Sequence, residues 1–219
     1  MRIPCKTIAR DCSLDYNSGM ERCVLIGGGD FCAARYDRKR YAYAIALDGG
    51  YRYVGADADA VVGDLDSLGY VPQGVWVDRR PAHKDYTDLE AGLRLAADKG
   101  YRSIDVFGVL GRRLDHSIAA IAACAAASCA LDVRIVGMRE TVYFVRDTLE
   151  LKSDASRYLS LFAWQPTVVS ASGLEYPVRD LRLDGQSAIG VSNEMTGDCV
   201  RICVASGCAI VVVQDKDAI

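Results

Sequence analysis

Two aspartates stand two positions apart in the segment VVGDLDSLGY, residues 61–70, directly after a short apolar run. A second acidic pair, Asp85 and Asp88, follows in the segment KDYTD. If Asp64, Asp66 and this second pair met at one place, they would raise one another's pKa unless a cation compensated their charge. Carboxylates of this kind suit Mg²⁺, which binds a few of them together with water and substrate phosphates. Asp also favours turns and helix caps, but the two pairs together favour a magnesium site.

Glycine-rich segments indicate a second kind of chemistry, the binding of phosphate groups. The segment GGGD, residues 27–30, follows the apolar run CVLI and would let the backbone approach a phosphate or a base. It lacks the lysine of a Walker A loop and the spacing of a dinucleotide fingerprint, so a tight turn explains it equally well. The segment GVLGRRLDH, residues 108–116, adds Arg112 and Arg113, whose planar guanidinium groups suit phosphate oxygens. A solvent-exposed charge cluster is the alternative interpretation of these arginines.

The apolar runs that precede these segments predict a parallel sheet. Between Arg22 and Gly137, short apolar runs alternate with helix-like segments, and each run ends at Gly or Asp: CVLI, YAIAL, AVV, SIDVF and DVRIV. This pattern is typical of strands that are buried on both faces of a sheet, and it predicts an α/β layer with right-handed crossovers. Ligands of such a sheet bind beyond the carboxyl ends of its strands. That rule brings four segments to one rim: residues 27–30, 48–50, 63–67 and 108–115.

Two helices of this layer are predicted from their end signals and composition. Thr87 and Glu90 form a T-x-x-E capping box, in which each side chain satisfies a backbone N–H near the other. Gly100 is the expected stop of this helix. A second helix is predicted from about Asp115 through the alanine-rich segment HSIAAIAACAAAS, because alanine is the best helix former.

The pattern changes after Gly137. Short apolar runs follow one another closely, separated by Gly, Pro, Asp or Asn: TVYFV, YLSLFAW, TVVSAS, DLRL, AIGVSN, VRICVA and AIVVV. Closely spaced strands without helical periodicity predict a β-sandwich or barrel. We therefore predict two domains, an α/β domain with a Rossmann-like parallel sheet over residues 1–138 and a smaller all-β sandwich over residues 139–219.

Composition and charge restrict the class of protein. The chain has 219 residues, 51% hydrophobic residues and a net charge of −3, so it has no basic field for a nucleic-acid backbone. Its 9 cysteines are scattered without a C-x-x-C pair, which favours free thiols in a reducing cytosol over disulfides or a metal cluster. No signal-peptide pattern and no run of about 20 apolar residues is present, so a cytoplasmic location away from membranes is expected.

Five motifs in the same order closely resemble those of the thiamine pyrophosphokinase family. The α/β half contains LDGG (47–50), VVGDLDS (61–67), KDYTD (84–88) and GRRLDH (111–116). The fifth motif lies in the C-terminal half, where SASGLEYPV (170–178) is followed by GVSNE (190–194), and it resembles the paired G-L-x-Y-P and S-N elements of the family. Each motif is short, but five in register make the resemblance specific, and it extends over about residues 22–213.

The resemblance implies a catalytic α/β domain, a C-terminal β-sandwich and a homodimer with thiamine sites between the subunits. It implies Mg²⁺-dependent transfer of a diphosphate from ATP to the hydroxyethyl oxygen of thiamine, with release of AMP. By motif, Asp64, Asp66 and Asp88 would hold Mg²⁺, with Asp85 nearby. The nucleotide and phosphate site would include Lys84, Arg113, Asp115 and His116, and Ser192 and Asn193 would approach the thiamine pyrimidine. We also expect six further residues to line the ligand site: Gly28, Asp48, Gly49, Thr87, Gly108 and Arg112.

The sequence departs from the family pattern at a few positions. Tyr51 and Arg52 stand where Ala-Asn usually follows D-G-G, and Arg112 replaces the second glycine of G-G-R-x-D-H. Arg52 and Arg112 are therefore candidates for a phosphate contact that most relatives lack. A carboxylate is expected to accept the proton of the thiamine alcohol, and the sequence leaves both Asp85 and Asp115 open for this role.

Two alternative functions remain at the level of sequence. The first is a diphosphokinase that acts on another alcohol, such as a hydroxymethylpterin, which would leave the GLEYPV and SNE segments without a purpose. The second is a non-catalytic sensor of a nucleotide or of thiamine on the same fold. The retention of every acidic motif residue argues against the sensor.

Overall fold

The structure, a computed structural model, describes residues 21–80, 85–186 and 188–216. The described chain divides into two compact units, residues 21–138 and residues 139–216, and its secondary structure is mixed α/β. None of its described helices is both long and apolar enough to span a membrane. The predicted site residue Lys84 lies outside the described residues.

The first unit is built on a parallel sheet of six strands. They are β1 (Arg22–Ile26), β2 (Tyr43–Leu47), β3 (Ala60–Gly63), β4 (Trp76–Arg79), β5 (Ser103–Phe107) and β6 (Asp132–Val136). They pair in the order β6-β5-β1-β2-β3-β4, and every pair among them is parallel. All five predicted apolar runs are strands, and β3 and β5 are buried along their whole length. The strand β4 was not predicted, because none of its residues is buried and its sequence WVDR contains no apolar run.

Three α-helices belong to this unit: α1 (Tyr51–Val54), α2 (Asp88–Asp98) and α3 (Leu114–Ala127). The predicted capping box of α2 is present, since the Glu90 amide donates to Thr87 Oγ1 at 3.2 Å and the Thr87 amide donates to Glu90 Oε2 at 2.8 Å. Gly100 adopts a φ of +92° just beyond the helix, as expected of a stop residue. Both predicted helices are therefore confirmed.

A buried ion cluster ties the amino half of the sheet together. Asp105 in β5 is fully buried and accepts hydrogen bonds from Arg134 Nε and Nη2 at 2.7 Å, from Arg22 Nη1 at 2.8 Å and from the Tyr41 hydroxyl at 2.9 Å. Burial by itself would raise the pKa of Asp105, but the guanidinium of Arg134, with Arg22 and Tyr41, holds it below its ordinary value. The cluster fastens three neighbouring strands at a distance from the rim where ligands are expected.

The second unit contains only strands. They are β7 (Glu140–Val145), β8 (Thr148–Lys152), β9 (Arg157–Phe162), β10 (Thr167–Ser172), β11 (Val178–Leu183), β12 (Asn193–Glu194), β13 (Cys199–Ser206) and β14 (Ala209–Asp215). Antiparallel pairs run in the order β12-β9-β14-β7, and a separate antiparallel sheet runs in the order β11-β10-β13-β8. Both groups contribute to one apolar core, for example through Leu161 of β9 and Ile202 of β13.

One sequence prediction for this unit was wrong, and one strand was not predicted. The run AIGVSN was predicted to be a strand, but only its last residue joins one, because Ser192 has a φ of +59° and interrupts the extended backbone. The strand β8 was not predicted, because its sequence TLELK alternates apolar with polar residues and contains no apolar run.

The cysteines bear out the prediction of free thiols where the structure describes them. Cys23, Cys32, Cys124, Cys129 and Cys203 are free. Cys23 and Cys124 are fully buried, and their burial raises the pKa of each thiol, for Cys23 to about 12. Such thiols are inert under ordinary conditions, since the thiolate is the reactive form.

Candidate active site

The strand order of the first unit reverses between β1 and β5, and this reversal marks the expected ligand crevice. The two loops that leave these strands, residues 27–30 and residues 108–113, run side by side. Backbone hydrogen bonds join them from Gly29 N to Gly108 O at 2.6 Å and from Asp30 N to Leu110 O at 3.0 Å. The rim segments predicted from the sequence therefore include two loops that the fold holds together.

Glycines make this close approach possible. A Cβ atom on Gly29 would lie 2.7 Å from the Gly108 carbonyl oxygen, and one on Gly50 would lie 1.9 Å from the carbonyl oxygen of Ile26. A Cβ atom on the predicted glycine Gly28 would lie 3.5 Å from the backbone of Gly49, an ordinary van der Waals distance. We call Gly28, Gly29, Gly49 and Gly50 together the glycine floor. Any side chain at the tightest of these positions would push the loops apart.

Three carboxylates gather beside this floor. Asp48 follows β2, and Asp64 and Asp66 follow β3, with one oxygen of each lying within 4.8 Å of the others. Between the last two, Leu65 adopts a φ of +67° and buries its side chain, so that the turn presents an aspartate on either side of it. The Asp66 amide donates to Asp64 Oδ1 at 3.2 Å, which fixes the turn. The structure thus brings Asp64 and Asp66 together as predicted and adds Asp48.

Asp48 is the least exposed member of this group. The residue is 8% exposed, its φ is +42°, and its Oδ1 atom is buried without a hydrogen-bond partner among the described residues. Burial raises the pKa of Asp48 above its ordinary value, although hydrogen bonds from Ser67 and from the Gly49 backbone act in the opposite direction, and the charges of Asp66 and Asp88 add to the rise. Asp48 thus combines a buried carboxylate oxygen that has no donor among the described residues with a side chain near two further carboxylates, which fits a hard divalent cation. On these observations the residues present fit Mg²⁺.

The second predicted acidic pair lies at the start of α2. Asp88 is the first residue of that helix and is close enough to affect the pKa of Asp48, but it is not one of the three aspartates within 4.8 Å. Asp85 is exposed, three positions before the helix. The Thr87 hydroxyl takes part in the capping box, where it accepts a hydrogen bond from the Glu90 amide and donates one to Glu90 Oε2. The four carboxylates predicted to converge are therefore not all adjacent in the structure.

The basic side chains of the GRRLDH segment are engaged with neighbours. Arg113 donates from Nε and Nη2 to the two oxygens of Asp115, at 3.1 Å and 2.6 Å. This pairing lowers the pKa of Asp115 to about 2. His116 donates its amide to Asp115 Oδ1 at 3.0 Å in the first turn of α3. All three residues are exposed at the rim.

Arg112 and Arg52 connect loops of the same rim. Arg112 has a φ of +48° and donates to Asp30 Oδ1 at 3.4 Å and to the Tyr53 hydroxyl at 3.1 Å. Arg52 donates to the carbonyl oxygen of Ser67, just after the two aspartates of the β3 turn. In the structure these two arginines bind protein groups rather than facing solvent alone.

In the second unit, Ser192 and Asn193 stand at the start of β12. Asn193 is 9% exposed, and its carboxamide accepts from the Tyr176 amide at 3.1 Å and donates to the Tyr176 carbonyl oxygen at 2.7 Å. It therefore holds the G-L-E-Y-P segment, while the Tyr176 side chain stays 70% exposed. The Ser192 amide donates to Ser160 Oγ at 3.0 Å.

Sequence reasoning missed three features of this site. It took Asp48 as a ligand-lining residue rather than as a member of the carboxylate group, although an aspartate at the end of a buried strand was the available signal. It overlooked Tyr53 and Asp30, whose contacts with Arg112 depend on three loops meeting in space, and no local pattern reveals such a meeting.

Comparison with known families gives two matches along the chain. The family model for the thiamin pyrophosphokinase catalytic domain matches residues 37–135. The model for the thiamin pyrophosphokinase vitamin B1 binding domain matches residues 147–209. Together these models account for most of the chain, in the order that the motifs predicted.

Individual relatives agree with the family models. A thiamine pyrophosphokinase of Bacillus subtilis is 24% identical over 136 residues, which span 60% of this chain and 64% of that protein. The crystal structure of thiamine pyrophosphokinase from Bacillus subtilis has a TM-score of 0.77 at 20% identity, over 90% of this chain and all of that one. A thiamin pyrophosphokinase family protein from Enterococcus faecalis has a TM-score of 0.77 at 21% identity, over 90% and 100% of the two chains. These two structures share the fold of this chain.

Proposed function

Because the chain belongs to the thiamine pyrophosphokinase family, we propose that it transfers a diphosphate group from ATP to the hydroxyethyl oxygen of thiamine and releases AMP. We class its first unit as a Rossmann-like nucleotide-binding domain (residues 1–138) and its second as a β-sandwich that binds thiamine (residues 139–219). The observation that carries the proposal is the group of three carboxylates that follow β2 and β3, beside the glycine floor that extends to the reversal of strand order between β1 and β5.

The acidic group is proposed to hold Mg²⁺ through Asp64 and Asp66, with Asp48 as an additional ligand and Asp88 close by. The Oδ1 atom of Asp48, which has no hydrogen-bond partner in the described parts of the chain, supports this assignment, because a buried acceptor without a donor costs about 1–3 kcal/mol unless something satisfies it. The chemistry that Mg²⁺ supplies when bound is neutralisation of charge on the phosphate oxygens.

The remaining rim residues are proposed to position the nucleotide. The glycine floor allows a polyphosphate to approach the backbone closely. Arg113 and His116, which are exposed after β5, are proposed to contact the phosphates, with Lys84 as a further predicted phosphate contact. Such positioning and electrostatic stabilisation account for most of the catalysis of phosphoryl transfer.

A proton must leave the thiamine alcohol during the transfer. Asp115, whose pKa Arg113 holds at about 2, stays ionised and is a weak proton acceptor at neutral pH. Asp85 is exposed and forms no ion pair with an arginine or lysine among the described residues, so we favour it over Asp115 as the general base.

The thiamine site is proposed to involve the second unit, with Ser192 near the pyrimidine ring and Asn193 supporting the Tyr176 segment. By analogy with its family, we propose that the protein acts in the cytoplasm as a homodimer with thiamine bound between subunits. Neither a nucleic acid nor a membrane is proposed as a partner, since the net charge is −3.

Incubation with ATP, Mg²⁺ and thiamine tests this function directly. Chromatography should show AMP and thiamine diphosphate appearing in equal amounts. The Asp66→Ala variant should lose about 3 kcal/mol of transition-state stabilisation, or more than a hundredfold in rate, whereas the exposed Asp57→Asn variant should retain the wild-type rate.

Other outcomes identify the alternatives. Formation of ADP in place of AMP would contradict diphosphate transfer. Turnover with a hydroxymethylpterin but not with thiamine would indicate the other acceptor, and binding of both ligands without turnover would indicate a sensor.

A further inference from the structure

Three consecutive residues of the loop after β1 are held by one pair of side chains. Gly29 accepts a hydrogen bond from the Tyr53 hydroxyl through its carbonyl oxygen at 2.7 Å, and Asp30 accepts one from Arg112 Nε at 3.4 Å. Phe31 stacks on the Tyr53 ring, with centroids 4.9 Å apart and planes inclined by 16°. Because Arg112 also donates to the Tyr53 hydroxyl at 3.1 Å, these contacts form a closed circuit. We call Arg112 and Tyr53 together the latch.

The latch joins three separate parts of the rim. Tyr53 belongs to the short helix α1, Arg112 to the loop after β5, and their target to the loop after β1. The loops after β1 and β5 flank the reversal of strand order, where the ligand crevice of such a sheet lies. A constraint on the loop of residues 27–30 is therefore a constraint on that crevice.

The backbone of Arg112 has a conformation that glycine adopts more easily than arginine. A φ of +48° is uncommon for a residue other than glycine and is unfavourable for one that carries a Cβ atom. The preceding residue, Gly111, has a φ of +79°, and a Cβ there would lie 2.0 Å from Asp30 Oδ2, so Asp30 and the loop after β5 are in close contact. Glycine would suit the backbone of residue 112 better, but it would leave Asp30 and Tyr53 without their donor.

We propose that Arg112 is a positioning residue that, through Tyr53 and Asp30, preorganises the loop of residues 27–30 for binding the nucleotide. This inference rests on the proposed function, since it assigns the crevice to the nucleotide substrate. When a loop also samples conformations that cannot bind, the apparent affinity is the intrinsic affinity multiplied by the fraction of time that the loop spends in its binding conformation. The latch raises that fraction and acts on the nucleotide but not on thiamine.

The Arg112→Gly variant is a sharp test, because it removes the latch while relieving the left-handed backbone. Its melting temperature should equal or exceed that of the wild type. Its KM for ATP should rise about three- to tenfold, with kcat and the KM for thiamine within about twofold of wild type. The Tyr53→Phe variant keeps the ring that stacks on Phe31 but loses the hydroxyl, and it should raise the KM for ATP similarly.

The double variant Arg112→Gly/Tyr53→Phe distinguishes a latch from two independent contacts. Since both residues act through one circuit, the double variant should have about the KM for ATP of either single variant. Arg112→Lys restores a cation near Asp30 and should recover part of the affinity. Asp180→Gly is the matched control, because it makes the same relief of a positive φ in the second unit and should leave the KM for ATP unchanged.

The inference is overturned if Arg112→Gly binds ATP as the wild type does, if both substrates are affected equally, or if the two single effects multiply. Calorimetric titration of each variant with Mg²⁺ and a non-hydrolysable ATP analogue gives the nucleotide affinity without turnover. A wild type that binds the nucleotide but does not convert thiamine would contradict the proposed function, and the calorimetric titrations would still test the latch. A latch that fails in an enzyme active on thiamine would contradict the inference alone.

Discussion

Replacing Asp48 with asparagine should stabilise the metal-free protein and weaken its response to Mg²⁺. Asparagine keeps the shape of the side chain and removes one negative charge from a group whose oxygens lie within 4.8 Å of one another. Burial raises the pKa of Asp48, so ionisation of this carboxyl lowers the free energy of unfolding at every pH above its folded-state pKa. At pH 8 the substitution removes the unfavourable ionisation of this buried carboxyl and so raises the free energy of unfolding.

The size of the effect follows from the separation of the charges. Two unit charges 4.8 Å apart repel by about 0.9 kcal/mol at the dielectric constant of water and by about 3.5 kcal/mol at an effective value of 20. Because Asp66 is exposed and Asp64 is half-buried, the lower figure applies more closely, and Asp48 takes part in two such pairs. We expect a gain of about 2 kcal/mol, or about 4–8 °C in Tm for a chain of this length.

Scanning calorimetry of the wild type and Asp48→Asn, each with and without Mg²⁺, measures both effects. Mg²⁺ at a hundred times its Kd should stabilise the wild type by about 2.7 kcal/mol, and the variant should show less than about half of this. Asp57→Asn controls for the loss of an exposed carboxylate and should behave as the wild type. An unchanged or lower Tm for metal-free Asp48→Asn, or an undiminished response to Mg²⁺, would refute the assignment of Asp48 to a cation site.

Three further predictions concern the framework of the first unit. Asp105→Asn should destabilise the protein by about 3 kcal/mol at pH 7 in urea unfolding, because a neutral amide replaces the buried carboxylate that pairs with Arg134 and Arg22. Since the pKa of Asp105 is lowered by folding, the wild type should keep this contribution above about pH 4 and lose it as the pH falls further, so the two unfolding curves should converge in acid. Alkylation followed by peptide mass spectrometry should modify the exposed Cys129 in the native state and the buried Cys124 only after unfolding. Thr87→Ala should cost about 1 kcal/mol in the same urea assay through loss of the helix cap, and no loss would contradict the role of the capping box.

The architecture of the first unit was accessible from the sequence because its signals are local. Strands buried on both faces appear as continuous apolar runs, and the Thr87–Glu90 pair marks a helix start by its spacing alone. The edge strand β4 gives no such signal, since hydrogen bonding to β3 rather than burial keeps it extended. The family resemblance is confirmed by both domain models.

The candidate site was only partly accessible for a different reason. Asp64 and Asp66 were recognisable because their chemistry and their turn occupy a few neighbouring residues. Asp48 joins them through the pairing of β2 with β3, and the loop contacts of Arg112 arise from strands far apart in sequence. The assignment of Asp88 as a metal ligand stays a prediction, and the separation of the carboxylates was not deducible from motif order.

Asn193 substitutes for a neighbouring strand, because its carboxamide offers Tyr176 one acceptor and one donor in the arrangement of a peptide group. Backbone pairing holds the preceding part of the G-L-E-Y-P turn, through the Glu175 amide and the Glu194 carbonyl oxygen at 2.9 Å, and the Asn193 side chain extends that pairing to Tyr176. Glutamine in this position would carry the same amide one methylene farther out and would displace the Tyr176 ring with it. Because the Asn193 carboxamide holds the Tyr176 backbone, the length of this one side chain affects where the exposed Tyr176 ring stands.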